Sequence, residues 1–231
     1  MPKVSQAFLV KKAFLDYNRD MKQILIATTN PGKIAATKQI LAKLGYEGLS
    51  FADLNLQLKE PDETMLTAEE IAAEKALGYA KQFSDMPVLS RDDTNELIGV
   101  DDEDDPKNHN KAFVARRKGV YTDDNGSELL AEIAHKYGGS IPCRFVWGYG
   151  LAWHDGNKIK VVHGTAQTNI NDIIIVDKIS PKRVPGFCFA PVMKVKIGDE
   201  WKYDSELSPD DNWEAYWNIQ AATIKELLDQ L

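Results

Sequence analysis

The run ILIATTNPGK at residues 24–33 restricts what this chain can become more than any other segment. Gln23–Thr28 (QILIAT) is a short apolar run that ends in polar residues, which predicts a buried strand. Asn30 follows where a helix cap belongs. Pro31 suits the first helical position, where its missing N–H costs nothing. Ile34, Ile40, Leu41 and Leu44 then fall on one helical face, and Gly45 stops the helix. The unit is strand–loop–helix, and its loop is expected to aim free backbone N–H groups outward, towards an anion.

The rest of the chain continues in mixed style. Residues 53–66 read as irregular, with Glu60-Pro61-Asp62-Glu63-Thr64 as a turn. Thr67-x-x-Glu70 has capping-box form, and Ile71, Ala72, Ala76, Ala80 and Phe83 continue a second helix. Pro87–Ser90 predicts a short strand leading into Arg91-Asp92-Asp93-Thr94. Asp101–Asp105 (DDEDD) reads as a solvated acidic loop, with a metal or partner contact as the alternative. A helix is predicted over Ser127–Tyr137, ended by Gly138-Gly139. Arg144–Trp153 and Lys158–Asn169 alternate around Asp155-Gly156-Asn157 and predict a long hairpin. Ile173–Val176 predicts a strand and Trp213–Leu231 a closing helix. The fold class is α/β, with a mixed, strongly twisted sheet.

Composition narrows the function. The 231 residues carry a net charge of -7, a poor match for wrapping a nucleic-acid backbone. A small anion remains a fitting ligand if a local pocket gathers lysines. Cys143 and Cys188 form no CxxC pair, and His109, His135, His154 and His163 lack zinc-type spacing. No apolar run is long enough for a membrane span, and no signal-peptide pattern is seen, so a soluble cytoplasmic protein is expected. Residues 1–20 read as an extension preceding one domain at 21–231.

Three clusters carry possible chemistry. Thr28, Thr29, Asn30 and Lys33 combine a helix start with a cation, either a phosphate cradle or a capped helix with an exposed lysine. The P-loop pattern is absent. Glu63, Glu70, Asp92 and Asp93 are hard oxygen donors of the kind Mg²⁺ prefers, with solvated turns as the alternative. Lys75 lies on the same helix as Glu70. Phe187, Phe189, Trp213, Tyr216 and Trp217 offer either a stacking wall for a base or plain core.

These clusters fall in an order that resembles the inosine triphosphate pyrophosphatase, or Ham1-like, family. ILIATTNPGK resembles its opening motif. PDET (61–64) looks like its acidic turn, and TAEEIAAEKA (67–76) is similar to its T-F-x-E-N-A-x-x-K-A helix. SRDDTNEL (90–97) is similar to A-D-D-S-G-L, and FVAR (113–116) to Y-S-A-R. PGFCFAPV (185–192) sits where the family has G-F-G-Y-D-P-I. The resemblance implies an elongated mixed sheet flanked by helices, two lobes around a central cleft, and a homodimer. It implies Mg²⁺-dependent hydrolysis of a nucleoside triphosphate, such as ITP, XTP or dITP, to monophosphate and pyrophosphate. Thr28, Thr29, Asn30, Lys33, Thr94 and Arg116 would bind substrate. Glu63 and Asp93 would hold the metal. Asp93 would also activate water, with Asp92 and Glu70 in support, and Lys75 would neutralise phosphate charge.

The base-reading motifs depart from this pattern. Gly-Tyr-Asp becomes Cys188-Phe189-Ala190, so the aspartate expected to read the base is lost. Tyr216-Trp217-Asn218 stands where Ser-His-Arg is expected. Stacking by Phe187, Phe189 or Trp217 and an amide contact from Asn218 would have to serve instead. The competing expectations are a nucleotide-binding regulatory protein without turnover, a phosphatase for another phosphorylated substrate, and an interaction module built on the DDEDD loop.

Overall fold

The computed structural model describes residues 22–107, 113, 125–185 and 187–231. Its first unit is the predicted one: β1 at Lys22–Ile26, then α1 at Pro31–Lys43. Both faces of β1 are covered. Ile24 and Ile26 enter one apolar cluster with Ile40 and Leu41 of α1, while Leu25 and Ala27 enter a second. That is why the run is apolar without alternation. Gly45 takes a left-handed φ of 81° just past the helix, which favours glycine.

β2 at Tyr46–Ser50 pairs with β1 in parallel, and was not foreseen. Its sequence YEGLS is half-buried and shows no clean alternation. The capping box at Thr67–Glu70 forms as expected and opens α2 at Ala68–Ala80. β3 follows at Val88–Leu97. It is longer than the sequence suggested, and Asp92 and Asp93 lie inside it, not past its end. The cause is β4, a 16-residue strand at Ser140–Asp155. β4 pairs with β3 from Val88↔Ala152 to Leu97↔Cys143. A partner backbone completes the ladder whatever the side chains are.

α3 occupies Ser127–Lys136 and ends at Gly138-Gly139 as predicted. The hairpin β4–β5, with β5 at Lys158–Gln167, closes around Gly156-Asn157. β6 at Ile173–Val176 pairs with residues 140–142 of β4, so β4 runs through both halves of the sheet. β7 at Met193–Ile197 and β8 at Glu200–Tyr203 extend it antiparallel. These two strands were also not foreseen, although Met193 and Val195 are buried in the alternation a strand requires. The order is β2-β1-β3-β4-β6-β7-β8, with β5 paired to β4. The C-terminal helix is composite: α4 at Pro209–Asn212, a π turn at Trp213–Trp217 and α5 at Asn218–Leu228.

The acidic loop is not wholly solvated. Asp104 is fully buried and accepts from Lys136 Nζ at 2.8 Å and Tyr137 Oη at 3.0 Å. Burying one carboxylate on a lysine and a phenol turns this part of the loop into a structural anchor.

α2 lies directly on β4. A Cβ at Gly148 would sit 2.2 Å from the Ala68 carbonyl, and one at Gly150 would sit 2.5 Å from the Ala72 oxygen. Ser90, opposite Gly150, donates its hydroxyl to the Ala72 carbonyl. Gly148→Ala is therefore expected to cost about 2–3 kcal/mol of folding free energy through overpacking, read as a lower urea midpoint.

Candidate active site

The pairing of β1 with β3 stops at Ile26↔Leu89, where β1 leaves the sheet for α1. β3 continues, and Arg91, Asp92 and Asp93 line the opening that β1 vacates. Period two puts Arg91 and Asp93 on one face and Asp92 on the other. Arg91 grips Asp93 with two bonds, Nε to Oδ1 at 2.6 Å and an Nη to Oδ2 at 3.0 Å. Burial alone would lower the Arg91 pKa, but Asp93 beside it reverses this and raises it. The pair is dry, with side chains 7% and 11% exposed. Such a bidentate ion pair fixes the Asp93 carboxylate in direction. Arg91 was not singled out from sequence. The signal was its i, i+2 spacing to Asp93, which counts only once residues 90–97 are known to be a strand.

Asp92 faces α2, where Lys75 reaches its Oδ1 at 3.1 Å and Glu63 Oε1 at 2.8 Å. Burial pushes the Lys75 ammonium down, but Asp92 and Glu63 more than offset this, and its pKa is raised. Glu63 is held in place through its own turn. Glu74 on α2 accepts from Thr64 N at 2.8 Å and Thr64 Oγ1 at 2.6 Å. Pro61 packs so closely on Gly78 that a Cβ there would lie 2.5 Å from its ring. The turn is thus fastened to the helix that carries Lys75.

The start of α1 contributes differently from expectation. Asn30 Oδ1 accepts from the amides of Gly32 at 2.9 Å and Lys33 at 3.1 Å, and the Asn30 amide donates to Thr28 Oγ1. These amides are spent on the cap, so they do not point freely outward. The cation does: Lys33 Nζ stands 3.6 Å from Asp93 and 3.9 Å from Asp92. Thr28 and Thr29 lie on the connection, off the cavity wall that Asn30 and Lys33 line.

That cavity, about 390 Å³, runs from Lys33, Lys75 and Asp93 to Phe187, Phe189 and Asp204. Phe113 and Thr94 also line it, and the Thr94 hydroxyl donates to the Pro106 carbonyl at 3.2 Å. A second chamber of about 430 Å³ shares Phe145, Phe187, Met193 and Asp204 with it and adds Trp217 and Tyr216. Phe187 lies flat on the first turn of α1, since a Cβ on Gly32 would fall 1.8 Å from its ring. One end of the site is therefore charged and the other aromatic, the size and character of a small-ligand pocket. Asp204 was missed from sequence. It is only partly exposed, and loss of solvent pushes its carboxyl up to about 6 while the Tyr216 hydroxyl opposes the rise.

Glu63, Asp92 and Asp93 are hard oxygen donors beside the same cations. Among the described residues no three acidic, histidine or cysteine side chains already converge as a metal cage. Magnesium commonly uses one or two carboxylates and takes its remaining oxygens from phosphate and water. The donor set fits an ion of that kind, arriving with an anionic ligand.

Two further expected site residues, Glu70 and Asn218, stand elsewhere. Glu70 is exposed, and its carboxylate serves Thr67 in the capping box, at 2.7 Å from Oγ1, so it is committed to holding α2. Asn218 is exposed and accepts from the Ile219 amide at 2.7 Å. The π turn before it brings Tyr216 and Trp217 to the second chamber and leaves Asn218 facing solvent. Arg116 lies outside the described residues.

Residues 24–196 match the model of the Ham1 family. A dITP/XTP pyrophosphatase of Rhizobium meliloti is 31% identical over 182 residues, 76% of this chain and 78% of that protein. One from Bacillus subtilis is 30% identical over 198 residues, 83% of this chain and 88% of that protein. The fold is like that of the Staphylococcus aureus Ham1 protein, at TM-score 0.58 and 22% identity, over 90% of this chain and 98% of that one. A HAM1 protein from Coxiella burnetii gives TM-score 0.60 at 19% identity, over 91% and 100%.

Two measurements check this geometry. Arg91→Leu strands Asp93 in a dry site and is expected to cost about 3 kcal/mol in urea unfolding, most of it recovered in Arg91→Leu with Asp93→Leu. The Asp204 carboxyl goes from an ordinary 3.8 to about 6 on folding, so the folded state holds the extra proton between those values. Its favourable share of stability is present below pH 3.8 and lost as pH rises through about 6. Asp204→Asn should therefore gain on the parent protein as pH is raised across that window, in urea unfolding followed at each pH.

Proposed function

This chain belongs to the Ham1 family, and on that premise we propose that its charged cavity end holds the triphosphate of a deaminated or otherwise modified purine nucleotide. The protein is a nucleoside triphosphate pyrophosphatase. It hydrolyses its substrate to the monophosphate and pyrophosphate, a reaction that clears unwanted nucleotides from the pool. The observation that carries the site assignment is the meeting of Lys33, Lys75 and Arg91 around Asp92 and Asp93 at one end of a cavity whose other end is aromatic.

The chemistry follows from charge placement. Lys33 stands over both aspartates, so an incoming phosphate can take over its ammonium. Lys75 likewise exchanges part of its contact with Glu63 and Asp92 for phosphate oxygen. Glu63, Asp92 and Asp93 would hold Mg²⁺, which when bound supplies Lewis-acid polarisation of the reacting phosphoryl group. Asp93 orients the attacking water and accepts its proton. Arg91 keeps that carboxylate aimed, and each oxygen it bonds retains a further acceptor site for the water. Thr94 and Asn30 line the same wall. Glu70 acts only through α2, and Arg116 belongs to this reading by resemblance.

The aromatic end takes the base, between Phe187 and Phe189 with Trp217 in the adjoining chamber. A cytoplasmic homodimer with a single domain at 21–231 completes the reading; the expected extension at residues 1–20 lies outside the described residues. Among the described residues no helix is long and apolar enough to cross a membrane.

A pyrophosphate-release screen with Mg²⁺ over ITP, XTP, dITP and the common nucleotides is the test. Asp93→Asn is expected to lower release by about 10²–10⁴-fold with its circular dichroism unchanged. Orthophosphate as the sole product, or an unaffected Asp93→Asn, would sink the assignment.

A further inference from the structure

Ala190 stands where the resemblance leads one to expect a base-reading aspartate, yet a carboxylate lies beside it. Asp204 opens the turn after β8, and that turn is tied to Ala190 by a backbone bond from the Ser205 amide to the Ala190 carbonyl at 3.1 Å. Ala190 and Asp204 are neighbours in space, though 14 positions separate them in sequence.

Asp204 is placed to read a ligand. It lines both chambers, with Phe187 and Met193 at their junction. Among the described residues no lysine, arginine or histidine forms an ion pair with it, although burial raises its pKa. A carboxylate kept in such a place without a cation is costly. The Tyr216 hydroxyl stands next to it. Tyr216 is 6% exposed, lines the same chamber, and its hydroxyl interacts with the Asp204 carboxylate. One wall of the cavity thus carries a carboxylate acceptor and a hydroxyl donor side by side, engaged with each other.

An ionised carboxylate only accepts, and a phenol donates readily. Their pattern is complementary to a base edge with a carbonyl next to a ring N–H. In a 6-oxopurine these are O6 and N1–H. Adenine shows the reverse, an amino group beside a bare ring nitrogen. We propose that Asp204 is the specificity-determining residue of this enzyme, accepting the N1–H of a 6-oxopurine that stacks on Phe187, with Tyr216 donating to O6. This rests on the pyrophosphatase reading for its substrate class. A hydrogen-bonding site of this kind rejects bases that leave its polar groups unpaired.

The test is a chemical cycle on one atom. ITP and 1-methyl-ITP, which lacks the N1–H, are compared on the parent protein, Asp204→Ala and Asp204→Asn, by pyrophosphate release and separately by calorimetric binding. The parent should favour ITP by roughly 10- to 100-fold in kcat/KM and in affinity, the range for a hydrogen bond to a charged group. Asp204→Ala should bring the ratio to within about threefold, mainly by losing ITP. A ratio that persists in Asp204→Ala, or is absent in the parent, overturns the proposal. Thermal melting separates a structural role: Asp204→Asn should melt at or above the parent, whereas a marked fall would show a carboxylate needed for folding and count against base reading. If the parent binds ITP with the Asp204-dependent ratio but releases no pyrophosphate, base reading stands and the reaction falls. If it binds neither nucleotide, both fall.

Discussion

β3 outruns β1 because β4 gives it a backbone partner along its whole length, whereas β1 turns away into α1 after Ile26. Polar residues that would otherwise need a loop can therefore stand in a rigid strand beside an open edge. Arg91, Asp92 and Asp93 use this position. The gap also admits the first turn of α1, whose entry is fixed by the Asn30 cap. Strand ends of this kind are where α/β proteins commonly place their ligands, since two elements diverge there and leave a crevice.

Charge balance explains why the site is stable without being inert. The two carboxylates of β3 each have a cation: Arg91 for Asp93, Lys75 for Asp92, and Lys33 near both. Leaving either uncompensated in a dry crevice would be expensive. The three cations differ in how firmly they are held. Arg91 is locked by two bonds, whereas Lys33 sits at 3.6 and 3.9 Å and is the easiest to redirect. The same groups thus form a structural network and, on the proposed function, a reserve of positive charge for phosphate.

The aromatic end follows a different logic. Phe145 and Trp147 stack with ring centroids 4.7 Å apart, and Tyr216 meets Trp147 edge-on at 5.6 Å. This rigid wall holds the π turn of residues 213–217, which in turn decides that Trp217 faces the chamber and Asn218 faces water. The departures from the family motifs at 188–190 and 216–218 border a wall to which Asp204 and Tyr216 contribute polar groups.

What the sequence determined by itself was local. The Asn30-Pro31 helix start, the Thr67–Glu70 capping box, the Gly138-Gly139 stop and the Gly156-Asn157 turn each depend on residues within a few positions of one another, so their physics is written in adjacent letters. The ordered motifs were legible too, and with them Lys33, Lys75 and the Asp92-Asp93 pair that the fold brings together. Tertiary structure alone decided the length of β3, which depends on β4 some 50 residues later, and with it the Arg91 grip on Asp93. It alone decided that Asp104 is buried, that Glu70 is taken by its cap and that Asp204 lies beside Ala190. Those outcomes turn on which surfaces lose water together, and desolvation is a property of the packed chain that no short window of sequence contains.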